Sequence, residues 1–444
     1  MQSSSYNKNS LTLPGTVAMG TGVMIGAGIF ALTGQIAELS GPLFPLAFLI
    51  GAVISGFSAY TYIKVSNKYP SAGGIAMILK KSYGPSTVTG AAALMMAFSM
   101  IINESLVART FGTYTLQLFN VDDPSWQVPV LAVGLIVVAF IINIAGNKLI
   151  GAVSKITAAI KILGIIGFAI AALWASGWSF QPAAGGLADS TSATGFLAGV
   201  ALAILAYKGF TTITNSGGEV EDPHKNVGRA IMISLAICVV VYMLVALGVG
   251  STLTVDEIVK AKDYSLAEAS RPALGDYGVW FTVAVAIVAT SSGVLASIFA
   301  VSRMLAMLTD MSIIPHRHFG MPGDIQQHTL VYTVVIAAFL AAFFDLSRIA
   351  SLGAIFYLVM DIAIHWGVLR HLRDDVKAKT WVLVSAIGMD AAALVAFLII
   401  KGAADPMIVV IAIAAIVGIF VFEKFFLSRR RSAEPAHETE THAH

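Results

Sequence analysis

Gly20-Thr21-Gly22-Val23-Met24-Ile25-Gly26-Ala27-Gly28-Ile29-Phe30 lies in the middle of the first long apolar segment, where a membrane helix would be continuous. Four of its first nine residues are glycine, and each weakens a helix interior by about 1 kcal/mol relative to alanine. A backbone amide or carbonyl freed inside lipid must find another partner. Irregular backbone at this depth therefore belongs where it lines a cavity and holds a solute. The same glycines also suit close helix packing of the GxxxG kind. Spacing alone leaves both readings open.

The composition surrounding this stretch is that of an integral membrane protein. Hydrophobic residues make up 57% and charged residues 12% of 444, with a mean hydropathy of +0.82. No soluble domain carries so little charge over such a length. The single cysteine, Cys238, excludes a disulfide framework and a thiol–metal cluster. A net charge of +2 gives no pointer to nucleic acid, and no nucleic-acid partner is expected. The polar start MQSSSYNKNS lacks a cleavable signal pattern, so the first apolar segment should remain as a helix.

Twelve apolar segments are long enough to cross a hydrocarbon core of about 30 Å. They fall near 14–36, 43–66, 88–118, 128–146, 152–178, 194–214, 228–252, 277–307, 328–346, 348–370, 381–402 and 405–427. The ninth and tenth are the hardest to separate, because only Asp345, Leu346, Ser347 and Arg348 divide them. Lysine and arginine crowd the loops on the side of both termini, which places those termini in the cytoplasm. The division expected is a cytoplasmic segment over 1–13, a ten-helix core over 14–370 and two appended helices over 371–427. A disordered, solvated cytoplasmic tail over 428–444 completes it. Trp174, Trp178 and Trp280 lie near span ends, as interfacial belts do.

A second glycine interruption stands in the sixth segment, at Ala206-Tyr207-Lys208-Gly209-Phe210. Paired interruptions in corresponding positions of two halves point to a midplane site. The halves would be about 14–178 and 194–370, as inverted five-segment repeats.

Four motifs carry a family resemblance. GVMIGAGIF in the first segment resembles the signature of the amino acid–polyamine–organocation (APC) transporters, as does Tyr69-Pro70-Ser71-Ala72-Gly73-Gly74 after the second. AYKGFTTITNSGGEVEDPHKNVGRAI at the sixth is similar to the same family's block there, and Ser302-Arg303-Met304-Leu305 through Asp310 to its eighth-span run. Ile349-Ala350-Ser351-Leu352-Gly353 is a softer match in the tenth. The resemblance, which extends to proton-coupled amino acid permeases, implies an all-α LeuT-type fold with a 5+5 inverted repeat and broken helices 1 and 6. It also implies alternating access, with a solute held between spans 1, 3, 6, 8 and 10. The setting would be the inner (plasma) membrane.

Within that frame, a helix restarting after Gly26 offers free amides and a positive dipole end. The amides of Gly26, Ala27 and Gly28 suit a substrate carboxylate, and the carbonyls at about Met24 and Ile25 suit an ammonium. By the family's pattern, carbonyls near Ala206 and Tyr207 complete the amine site. An amino acid zwitterion is then the default substrate. Tyr207 either covers the solute or packs.

The sequence departs from the pattern at Lys208 and Thr211, where relatives usually carry an uncharged and an acidic residue respectively. A charge at this depth is costly unless it is paired or faces water. Lys208 either snorkels or pairs with Glu104 of the third span, or else it contacts the solute. Beside an amine pocket it repels cations, which leaves neutral or acidic amino acids, or a carboxylate lacking an amine.

Glu104 either neutralises Arg109 or a lysine, or carries protons. Asp361 and Asp390 are further intramembrane acids that either mark span ends, join helices or relay protons. In the fifth span Lys155 can snorkel, whereas Lys161 lies deeper. Lys161 matches a family lysine that takes the place of a sodium ion in proton-coupled members. Protonated, it could bond the Gly22 carbonyl and the hydroxyls of Ser291 or Ser292; the alternative is a static ion pair.

No HExxH or GxSxG occurs, and Ser291 and Ser292 have no histidine in an obvious pairing, so an enzyme is not expected. No cofactor or metal is expected either. The partners are a small-molecule substrate, protons and the lipid bilayer. A channel suits the polar midplane residues equally well, but gives no reason for two broken helices aimed at one solute.

Overall fold

The computed structural model describes residues 10–179, 192–311 and 325–433, apart from 72, 120, 122–124 and 146. Among these, eleven helices are long and apolar enough to cross a membrane. The helix Asn147–Ala175, whose described apolar stretch is Ala159–Ala175, stands in the place of the fifth span. The chain is a multi-pass membrane protein.

Span 1 is made of Leu13–Met24, Ala27–Phe30 and Thr33–Ser40. Spans 2, 3, 4 and 5 are Phe44–Lys68, Thr87–Leu116, Gln127–Ala145 and Asn147–Ala175. Span 6 is Ala193–Tyr207 with a continuation to Asn215. Spans 7 and 8 are Pro223–Thr252 and Arg271–Asp310, the latter interrupted at Gly275 (φ 57°). Spans 9 to 12 are Ile325–Phe343, Leu346–Gly367, Thr380–Ala404 and Pro406–Ala433.

Spans 9 and 10 divide at Phe344 and Asp345. The Asp345 side chain accepts from the Arg348 amide at 2.8 Å, so an N-cap starts the new helix where hydropathy shows almost no gap. Span 12 continues as helix to Ala433, past the expected start of the tail at 428; residues 434–444 lie outside the described residues. Side chains 145–156, among them Lys155, also lie outside them.

Burial sorts the helices into a centre and a rim. Spans 3 and 6 are 89% buried over their most apolar windows, against 22% for spans 4 and 12. The rim exposes apolar side chains such as Val138, Ile141, Val410 and Val417, as a lipid-facing surface must. Trp174, Trp178 and Trp280 are likewise exposed at helix ends.

The end of the bundle where span 1 begins is held together by side-chain and backbone contacts between distant segments. Arg303 of span 8 pairs with Glu219 after span 6, and Leu11 bridges to Val220 alongside them. Tyr69 donates to Asp375 across the same face. At the opposite end, Arg348 pairs with Asp405 at 2.6 Å, beside a hollow of about 480 Å³ lined in part by Glu38, Lys262, Asp263 and Lys401. There the Arg348 hydrogen bond holds the Asp405 carboxyl below its ordinary range, while burial raises that of Asp263.

Candidate functional site

Span 1 breaks where the glycines stand. The helix ends with Ile25 N–H on the Thr21 carbonyl (2.8 Å), and Ile25 then leaves helical geometry (ψ 73°). It restarts at Ala27, whose first-turn amides have no helical acceptor of their own. The Gly26 amide, expected to serve a carboxylate, is instead spent on the Met24 carbonyl at 2.9 Å. Ala27 and Gly28 remain as the amides at the head of the new helix.

Span 6 is interrupted less than span 1. Instead of an opened backbone, Lys208–Phe210 form one turn of 3₁₀ helix, and Thr211–Asn215 follow as a short α-helix. The Thr211 hydroxyl is turned back onto the Lys208 carbonyl (2.9 Å). The two interruptions lie against each other. A Cβ on Gly209 would stand 2.6 Å from Met24 Cγ, and one on Gly28 would run into the Tyr242 hydroxyl and the Ala206 carbonyl. The opening stretch is therefore broken at Gly26 and closely packed at Gly28, with Gly209 of span 6 making the facing contact.

Met24, Ile25, Tyr207 and Phe210 are fully buried in this crossing, so the arrangement is closed. Its polar filling includes a residue that sequence reasoning missed. Tyr242, in span 7, donates its hydroxyl to the Met24 carbonyl (2.5 Å) and lies 3.3 Å from the Ala206 carbonyl. Its ring is tilted over Tyr207, with centroids 4.9 Å apart. Two carbonyls expected to receive an ammonium are thus engaged by a phenol. A tyrosine deep in the run Val239-Val240-Val241 carried a signal, because a buried phenolic hydroxyl usually has a partner.

Two buried lysines flank the crossing. Lys161 Nζ donates to the Gly22 carbonyl at 2.9 Å, just before the break. No hydrogen bond joins it to Ser291 or Ser292 among the described residues, and the Ser292 hydroxyl bonds its own helix at Ala289 (3.1 Å). Nor does any described carboxylate come within ion-pairing distance of Lys161. Lys208 is the second. Its Nζ donates to the carbonyl and hydroxyl of Ser99 in span 3, both at 3.0 Å, and lies 5.8 Å from the Tyr357 ring centroid of span 10. The expected alternative, a pair with Glu104, does not form. Glu104 is fully buried with the Ser297 hydroxyl facing it, and Arg109 reaches the Ala341 carbonyl (2.8 Å) rather than the glutamate.

A separate polar cluster lies where spans 2, 10 and 11 meet. Asp361 accepts from Ser58 (2.7 Å) and Tyr62 (2.5 Å), and His365 Nε2 lies 3.4 Å from Asp361 and 3.5 Å from Asp390. One ligand atom from each of Asp361, His365 and Asp390 lies within 4.8 Å of the others, a spacing that could also hold a metal ion. The signal in the sequence was the i, i+4 spacing of Asp361 with His365, and of Ser58 with Tyr62.

Comparison with known proteins bears on the whole chain. Residues 11–436 match the family described as Amino acid permease. The inner membrane transport protein YbaT of Escherichia coli is 29% identical over 375 residues, covering 84% of this chain and 86% of its own length. An uncharacterized protein of Methanocaldococcus jannaschii is 27% identical, covering 93% and 94%. The vacuolar cationic amino acid transporter 2 of Arabidopsis thaliana is 26% identical, over 82% of this chain and 60% of its own.

Proposed function

Because the chain belongs to the amino acid permease family, we propose that it is a proton-coupled, sodium-independent secondary transporter of amino acids. It works by alternating access, on two inverted five-helix halves of the LeuT type. It sits in the plasma membrane with both termini in the cytoplasm, in line with the lysine and arginine distribution.

The observation that carries this reading is the bond from Lys161 to the Gly22 carbonyl beside a broken helix, with no described carboxylate to neutralise the lysine. A permanent ion pair would hold that lysine charged through a cycle. A lone buried ammonium is stabilised chiefly by the carbonyl it bonds, so losing a proton releases the first half of span 1. Sodium would compete for the same place. When the crossing opens, the amides of Ala27 and Gly28 take the substrate carboxylate. The Met24 and Ala206 carbonyls take its ammonium once Tyr242 swings aside. Lys208 lies beside this region, bonded to Ser99, and when protonated it disfavours cationic side chains. In this it differs from what the name of the Arabidopsis relative says of that protein.

One observation favours a second reading. With Tyr242 already on both carbonyls, a carboxylate lacking an amine needs no such displacement.

A thermal-shift panel on purified protein separates the two, since a ligand that binds only the folded state raises apparent stability. Neutral and acidic amino acids should stabilise, and lysine and arginine should not. Stabilisation by amine-free carboxylates alone overturns the amino acid reading. In proteoliposomes the best ligand should show saturable uptake, driven by a proton gradient and indifferent to sodium. Conductance without saturation overturns the carrier.

A further inference from the structure

We infer that Asp361, His365 and Asp390 form a second intramembrane proton-binding site, at the joint of spans 2, 10 and 11 and apart from the crossing of spans 1 and 6. The inference does not rest on the transport reading, because its ligand is the proton itself.

All three side chains are fully buried. Asp361 is held as a carboxylate, since its two oxygens accept from different hydroxyls, Ser58 at 2.7 Å and Tyr62 at 2.5 Å. His365 and Asp390 are held by nothing comparable. Both ring nitrogens of His365 and both carboxyl oxygens of Asp390 lack a hydrogen-bond partner in the described structure. The contacts of His365 Nε2 to the two acids, at 3.4 and 3.5 Å, are longer than ordinary N–H···O bonds.

Charge then decides what the cluster holds. A net charge sealed inside a membrane bundle is expensive. With Asp361 ionised, the cluster is neutral when His365 is imidazolium and Asp390 is a carboxylic acid. Releasing one proton leaves a charge of −1 shared between Asp390 and His365. That proton moves between His365 Nε2, the Asp390 carboxyl and solvent; no other bond forms or breaks, and the pair titrates as one unit.

Span 2 presents Ser58 and Tyr62 to the cluster, and span 10 adds Tyr357, whose hydroxyl faces Ser58 and Asp361. Span 6 brings the Phe210 ring to 5.4 Å from Tyr62 and Lys208 Nζ to 5.8 Å from the Tyr357 ring centroid. The helix Gly74–Tyr83 contributes the Tyr83 hydroxyl, which is used on the Ala363 carbonyl (2.6 Å). Glu423 of span 12 lies against Gly90 of span 3 instead. Tyr357 thus stands near both: its hydroxyl faces the cluster and its ring lies near Lys208. A proton gained or lost here acts on the seam between span 11 and the core.

Two carboxylates and an imidazole also suit a divalent cation, which would replace both protons. The proton is favoured because metal-bound histidines almost always anchor their outer ring nitrogen, and His365 Nδ1 has no such anchor.

Infrared difference spectroscopy on the full chain in nanodiscs, titrated between about pH 5 and 9, tests this. The expected result is a protonated-carboxyl C=O band that disappears as pH rises, is absent from Asp390→Asn, and has its midpoint moved by about one pH unit or more in His365→Gln. Carboxyl-¹³C aspartate labelling separates the band from Glu104 and Glu423, and the labelled Asp263→Asn protein removes the aspartic acid that burial perturbs at the opposite end of the bundle, so the test stands if a variant at the cluster fails to fold. No titrating aspartic acid band in the labelled protein, or an unchanged band in Asp390→Asn, overturns the inference. So does a stoichiometric divalent metal that survives chelation in the unaltered protein and is missing from Asp390→Asn.

Discussion

The crossing of spans 1 and 6 and the joint of spans 2, 10 and 11 are both sealed polar places inside an apolar bundle, but they are made of different material. At the crossing the polarity is mostly backbone: the carbonyls of Gly22, Met24 and Ala206 and the amides that follow Gly26. At the joint the helices run on, and the polarity comes from the side chains of Ser58, Tyr62, Asp361, His365 and Asp390. Backbone polarity has to be exposed by breaking a helix, and glycine does that at the cost of helix strength. It yields a site whose shape changes when the pieces move. Side-chain polarity leaves the helices intact, and it yields a site whose charge changes when a proton moves. Under the two proposals, opening and closing fall to the first region and proton binding to the second, and Lys161 shares in both, as an ionisable side chain bonded to broken backbone.

The sharpest way to break that contrast is at Lys161. Lys161→Ala should abolish proton-driven uptake of the ligand found in the thermal-shift panel while binding stays measurable. Uptake with an unchanged pH dependence would move coupling away from the crossing altogether. Next comes the close approach itself. Gly28→Ala places a methyl against the Ala206 carbonyl, 2.7 Å away, and should destabilise the protein by about 1–3 kcal/mol. Gly56→Ala, where nothing lies within 4 Å, should be neutral or slightly stabilising, by up to about 1 kcal/mol. Equal melting temperatures for the two variants would mean that the crossing is not packed as described.

Tyr242→Phe should cost about 1 kcal/mol in the ligand-free protein by removing one of the two hydrogen bonds on the Met24 carbonyl, the one from the Gly26 amide remaining. It should also enlarge the thermal shift produced by amino acids relative to that produced by amine-free carboxylates. An unchanged ratio would remove Tyr242 from the binding event. The smallest effect concerns the opposite end of the bundle. The Asp405 carboxyl is held below its usual range by Arg348, so its stabilisation is complete above the unfolded value near 4 and fades as pH falls through the lower folded one. Melting curves in acid should show Asp405→Asn losing less than the parent; parallel losses would remove this pair as a contributor.

The crossing was legible because its ingredients are local. Gly20 to Gly28 can be read as a weak helix from nine residues of sequence, and the depth of Lys161 follows from its place in span 5. What was misjudged there was set by neighbours in space. The Gly26 amide closes on Met24 instead of pointing free, span 6 tightens into a 3₁₀ turn instead of opening, and Lys208 finds Ser99 instead of Glu104. Each outcome depends on which group stands a few ångströms away, and Ser99 is 109 residues from Lys208 in the chain.

What the sequence determined by itself is therefore the class of object and the place of its weakest helix. Hydropathy over whole spans sums many small transfer energies with one sign, and glycine acts on the residue where it stands. The tertiary structure alone decided which polar groups meet: Tyr242 with Met24, and Ser58 and Tyr62 with Asp361 some 300 residues later. Hydrogen bonds and charge pairs reach only about 3–4 Å, so no pattern along the chain can choose a partner until packing has brought the spans together.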